Sequence, residues 1–99
     1  MKVILSRNAR ADLQEIGDYI ARDNPRRARS FVGELVAKTM AIGRTPLAFQ
    51  LMPGHEAAGV RRRPFGSYVI YYVVQADSVA VARILHDAQD AERILFPDA

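Results

Sequence analysis

Cysteine is absent from the chain. That excludes disulfides and thiolate metal sites, and it fits a reducing compartment, so a cytoplasmic location is expected. Long apolar runs are missing as well. The longest, Tyr68 to Val74, is far short of the roughly 20 residues that a membrane-spanning helix needs. The start, Met1-Lys2-Val3-Ile4-Leu5, lacks the extended apolar region of a signal peptide. Lysine is scarce: Lys2 and Lys38 stand beside twelve arginines among the fourteen basic residues. There is no glycine-rich phosphate loop, no histidine pair at ligand spacing and no Ser-His-Asp set in a recognisable context. Neither a cofactor nor a metal is expected.

What remains is an ordinary globular composition. A 99-residue chain buries roughly two thirds of its unfolded surface, enough for one core, so a single domain over 1–99 is expected. The formal net charge is +3. Residues 1–50 hold nine basic and five acidic side chains, net +4; residues 51–99 hold five and six, net −1. This mild asymmetry suggests a partner of acidic or phosphate character.

The N-terminal half reads as helical packing material. Lys2 to Leu5 is a short β-branched run and predicts a first strand, with Ser6 as the N-cap of the helix that follows. Ala9, Leu13, Ile16 and Ile20 recur on one helical face, and Arg10, Gln14, Asp18 and Arg22 take the other. Asp18 and Arg22 are placed for an i,i+4 ion pair. Gly17 is costly in a helix, and close approach by another backbone would explain it. Asn24-Pro25 breaks the pattern and starts a second helix, with Asn24 as cap and Pro25 at the first position. Ala28, Phe31, Leu35, Thr39 and Ile42 carry that helix to Gly43, which suits a C-terminal stop. Arg26, Arg27 and Arg29 crowd its first turn, where the helix dipole disfavours cations. Helix stability does not explain them; a solvated face or a partner does.

Arg44 to Gly59 has no period and reads as a long connector packed across the surface. From Val60 the period becomes that of strands. Turns are expected at Pro64–Ser67 and Gln75–Asp77, strands at Tyr68–Val74 and Ser78–His86, and a short helix from Ala91 to Leu95 capped by Asp90. Pro64, having no amide donor, is expected at a strand end. Tyr68–Val74 is apolar on both parities, which predicts a central strand covered on both faces. The helix pair can cover one face. The second is either reserved for a partner or closed by the long connector and the tail.

Four segments, in this order and at these separations, resemble the RelE/ParE superfamily of toxin–antitoxin toxins. They are Ala9-Arg10-Ala11-Asp12-Leu13 with Ile16 and Tyr19-Ile20; Asn24-Pro25 with Ala28 and Phe31; Val60-Arg61-Arg62 with Tyr68 to Tyr72; and Arg83-Ile84-Leu85-His86. The resemblance implies an α+β fold: a helical hairpin packed on a small, mainly antiparallel twisted sheet, ordered β-α-α-β-β-β with a short C-terminal helix. It also implies a cognate antitoxin, ParD-like or related, as partner. Two activities occur in the superfamily. ParE-like members poison DNA gyrase without cleaving anything themselves; RelE-like members cut mRNA on the translating ribosome. The Asn24-Pro25 junction and the strand pair look more ParE-like. On that reading no residue is catalytic, and Arg61, Arg62, Arg63, Tyr68, Tyr72, Arg83 and His86 are candidate partner contacts. On the RelE-like reading Arg61 and Arg83 would hold phosphate and His86 would move a proton, with His55 and Glu56 near enough to approach. The scarcity of lysine and the carboxylate of Asp87 beside His86 weigh against cleavage. A non-toxic interaction module on the same fold is the third possibility.

Overall fold

The computed structural model describes residues 1–98. Strand β1 (Lys2–Leu5) leads into helices α1 (Arg7–Ala21) and α2 (Pro25–Ala41). Strands β2 (Val60–Phe65), β3 (Tyr68–Val74) and β4 (Ser78–His86) follow, then helix α3 (Ala91–Leu95). The sheet order is β1-β4-β3-β2. β2/β3 and β3/β4 are antiparallel, while β1 lies parallel to β4 with Lys2 opposite Ser78. The expected α+β architecture is therefore the observed one.

The local signals act as read. Ser6 Oγ accepts from the Ala9 amide, Asn24 Oδ1 from Arg27 and Asp90 Oδ1 from Arg93, so each helix has a side-chain cap. Gly17 lies where the helices meet: a Cβ there would stand 3.3 Å from Val32 Cγ2. Some details differ. The Asp18–Arg22 ion pair does not form. Asp18 accepts from Gln14 Nε2 at 3.0 Å, and Arg22, just past the end of α1, folds back over the Tyr19 ring. Gly43 does not stop α2 through a left-handed conformation. The helix ends at Ala41 and tightens into a 3₁₀ turn over Ile42–Arg44. Glycine is needed because the N-terminus crosses there: Met1 N donates to Gly43 O at 2.8 Å, and a Cβ on Gly43 would lie 2.2 Å from Met1 O.

β2 is longer than its turn signal suggests. Pro64 pairs with Val69 inside the strand, leaving only Gly66-Ser67 as the turn. Gly66 has φ +58°, and among the described residues no non-glycine residue has positive φ, which matches the II′ hairpin. Proline is tolerated because β2 is an edge. The Arg62 amide points outward to Gln50 O, and the Val60 carbonyl outward to Met52 N. By alternation Pro64 faces the same open side, where a missing donor costs nothing. Its carbonyl accepts from Arg63.

The sheet has a core on each face. Ala9, Ile16 and Leu35 of the helices meet Ile70, Tyr72, Val79, Val81 and Ile84 on one side. On the other, Val60, Val69, Tyr71 and Leu85 pack with Met52 of the connector and lie under Ile94, Leu95 and Phe96 of the tail. The chain itself thus closes the second face of β3. His55 fastens this cover. Its ring stacks on Phe96 at 4.2 Å between centroids, and Nε2 lies 2.9 Å from Glu92 Oε1. No helix among the described residues is long and apolar enough to cross a membrane.

Candidate functional site

The site grows from the place where β1 ends. β1 covers β4 only as far as Val81. Ser6 then takes over, its amide donating to Val81 O and its hydroxyl to Ala82 O. Opposite β3 the register slips at this point: Tyr71 faces Arg83, while Tyr72 faces Val81. Ala82 is therefore the extra residue of a bulge, a device that re-aims the side chains beyond it. One of those is Arg83. Its Nε and Nη2 donate to the two carboxylate oxygens of Asp12, each at 2.8 Å, and the Ile84 amide donates to Asp12 Oδ2 at 2.9 Å. Asp12 is 5% exposed. From α1 its carboxylate supplies the acceptor that a longer β1 would have supplied. Hydrogen bonding to Asp12 holds the Arg83 guanidinium above its ordinary pKa against the opposing effect of burial.

Above this pair opens a groove of about 770 Å³ between the helical hairpin and the ends of β3 and β4. Tyr68 and His86 line it with Tyr19, Phe31, Glu15 and Arg27. The aromatics touch in sequence. Phe31 stacks on Phe65 at 5.8 Å and tilts against Tyr68 at 5.6 Å, and Tyr68 meets the His86 ring edge-on at 5.3 Å. Burial raises the Tyr68 phenol above its ordinary pKa, and the Tyr19 phenol adds to this. His86 Nδ1 accepts from the Ala88 amide at 3.0 Å in the neutral ring, and the same nitrogen lies 3.2 Å from Asp87 Oδ1. The groove's free charge is small. Arg83 is bound to Asp12, Arg27 to Glu34 at 2.6 Å, and Glu15 adds a carboxylate. Such a groove suits an apolar or aromatic protein anchor better than a phosphate.

The seven candidate residues thus separate. Tyr68, Arg83 and His86 share the groove. Arg61, Arg62 and Arg63 do not form a common patch, because alternation sends Arg62 to the tail-covered face and its neighbours to the helix side. Arg61 Nη1 donates to Phe49 O at 2.8 Å, and the Arg63 guanidinium lies 4.9 Å over the Phe49 ring. Both arginines hold the connector down. Tyr72, named as a surface contact, has 0% exposure; its hydroxyl donates to Pro46 O at 2.7 Å and anchors the same connector from the core. Burial raises its phenol pKa, with Arg61 and Arg63 opposing. His55 and Glu56 lie away from the groove, on the side of the tail. Asp12, which organises the site, was visible only as a carboxylate three residues past Ala9, on the apolar stripe of α1. A charge in that position signals a buried partner.

Comparisons with known proteins bear on the family and the fold. The family of ParE toxins of type II toxin–antitoxin systems matches residues 3–91. The chain belongs to that family. Among solved structures, it superimposes on a chain of the chromosomal ParDE system from P. aeruginosa with a TM-score of 0.73 and 22% identity, covering 87% of this chain and 95% of that one. A chain of the RelBE2 toxin–antitoxin complex from Mycobacterium tuberculosis gives 0.64 and 21%, covering 86% and 95%. At these identities the two superpositions establish the fold. No curated protein matches the chain.

Proposed function

We propose that the chain is a binding poison of DNA gyrase, neutralised by a cognate antitoxin of the ParD type. The family gives the toxin role. The observation that carries the choice of mechanism is Arg83. Its guanidinium, the natural phosphate holder of a nuclease groove, is engaged along its whole Nε–Nη2 edge by a buried carboxylate that already neutralises its charge. His86 Nδ1 already accepts from the Ala88 amide, and the Asp87 carboxylate beside the ring would repel a phosphate. The groove then serves as a socket for protein, with Tyr68, Phe31 and His86 as its walls. Purified chain added to gyrase should block supercoiling and accumulate cleaved DNA. No effect at micromolar toxin would refute the reading. One observation favours the RelE-like alternative, in which the chain cuts mRNA on the ribosome: Arg83 and His86 do line a single groove. On that reading translating ribosomes would yield A-site cuts that His86→Ala abolishes.

A further inference from the structure

The molecule's charge is concentrated at a place that the groove reaches only through Arg27. Residues 22–29 contain Arg22, Arg26, Arg27 and Arg29 against Asp23, a net of +3 (four minus one), equal to the +3 of the whole chain. The remaining residues therefore sum to zero. All four arginines are exposed, at the projecting turn where α1 passes into α2. The start of α2 gains nothing from them. The start of α2 is already positive from its dipole, and its first turn holds no acidic residue. Arg27 is engaged with Glu34 and lies over Phe31, and Arg22 lies over Tyr19. Arg26 and Arg29 have no ion-pair partner among the described residues.

One more residue on this face lacks a packing reason. Arg26, Arg29 and Gly33 follow one another along α2 at i, i+3 and i+7. A Cβ on Gly33 would meet nothing within 4 Å. Glycine there weakens the helix with no close neighbour to justify it, but it leaves the face low beyond the arginines. We propose that this face seats the phosphate backbone of duplex DNA. Arginine forks match phosphate oxygens bidentately. Arg26 and Arg29 stand one turn apart on α2, so both forks can reach phosphates of one strand. Arg29 and Gly33 also border a groove with Leu13, Pro25 and Val32, which makes an acidic peptide the competing occupant; four arginines against one carboxylate favour the denser, continuous charge of a duplex. The inference is independent of the gyrase reading, because it is tested on the toxin alone.

The test is fluorescence anisotropy of a labelled 20-bp duplex titrated with the whole chain between 50 and 200 mM KCl. Three phosphate contacts, from Arg22, Arg26 and Arg29, give a salt slope near −2.7, so affinity should fall about 40-fold over that range. R26Q/R29Q should bind more weakly at 50 mM and lose only about 3- to 4-fold, since about one contact remains. The variant should melt no lower than the parent, because two cations leave a helix start. No duplex binding at 50 mM, or equal slopes for parent and variant, overturns the proposal. So does displacement of the duplex by polyglutamate of equal total charge as efficiently as by unlabelled duplex. That result would assign the face to an acidic polypeptide.

Discussion

Replacing Arg83 by methionine tests the organising contact directly. Methionine keeps the length of the side chain and removes its charge and donors. Asp12, 5% exposed, would keep only the Ile84 amide of its three donors. Leaving a buried charge unpaired costs about 3–5 kcal/mol. The guanidinium side is 27% exposed, so water can reach part of the vacated space, and the lower end, about 3 kcal/mol, is expected. For a chain of this size that lowers Tm by about 12–24 °C. Asp12→Asn should cost less, about 1–2 kcal/mol, because an amide still accepts from Ile84 and the freed Arg83 can turn to solvent. The asymmetry is the diagnostic result. Urea unfolding followed by circular dichroism on both single variants and the double variant closes the cycle. The pair should couple by at least about 1.5 kcal/mol. A loss below about 1 kcal/mol for Arg83→Met, or additive single effects, would show that the pair is an incidental surface contact.

Three further outcomes are expected. Tyr72→Phe should lose about 1 kcal/mol with the Pro46 hydrogen bond. It should also flatten the alkaline decline in stability. Burial raises the Tyr68 and Tyr72 phenols above 10.0 in the folded state, so the unfolded chain ionises first, and stability falls as pH climbs past that value; an unchanged decline in the variant would refute this. Gly43→Ala and Gly33→Ala should act in opposite directions in thermal melts. The first drives a methyl into Met1 O and costs about 1–3 kcal/mol, while the second enters open space and gains about 1 kcal/mol of helix propensity. Phe96→Ala should loosen the tail from the second core and cost about 1–2 kcal/mol, because the ring is only half-buried; hydrogen exchange should quicken on the tail while the α1–α2 side stays protected.

The elements were legible because their signals are local. Two helices with capped starts and a 3.6-residue stripe, and a strand apolar on both parities, need no knowledge of their partners. The two cores follow from that strand alone. What covers the second core was left open between a partner and the chain, because five residues of helix and an aperiodic connector carry no pattern that says where they dock. The site was less legible, for a physical reason. Arg61 and Tyr72 find their partners in the carbonyls of Phe49 and Pro46, and every residue has a carbonyl. Arg62 and Arg63 are adjacent in sequence, yet strand alternation puts them on opposite sides of the sheet. The bulge at Ala82 shifts the register of everything after it, and no residue type announces it. Asp12 went unread although it had a signal: a carboxylate on an apolar stripe asks for a partner, though not for Arg83 by name.

The parallel pairing of β1 with β4 has a consequence for how the chain is made. Lys2 meets Ser78, and Asp12 meets Arg83. Both contacts join the first dozen residues to the last quarter of the chain. Translation at about 5–20 residues per second puts about 4–15 s between the synthesis of the two strands. Through that interval β1 has no strand to lie beside and the α1 carboxylate has no counter-ion, so the hairpin waits without a sheet. The fold closes late, once β4 has been made, and a product truncated before β4 keeps only the β2–β3 pair and lacks the groove. For a chain of the family of type II toxin–antitoxin toxins, assembly itself delays the moment at which the groove exists.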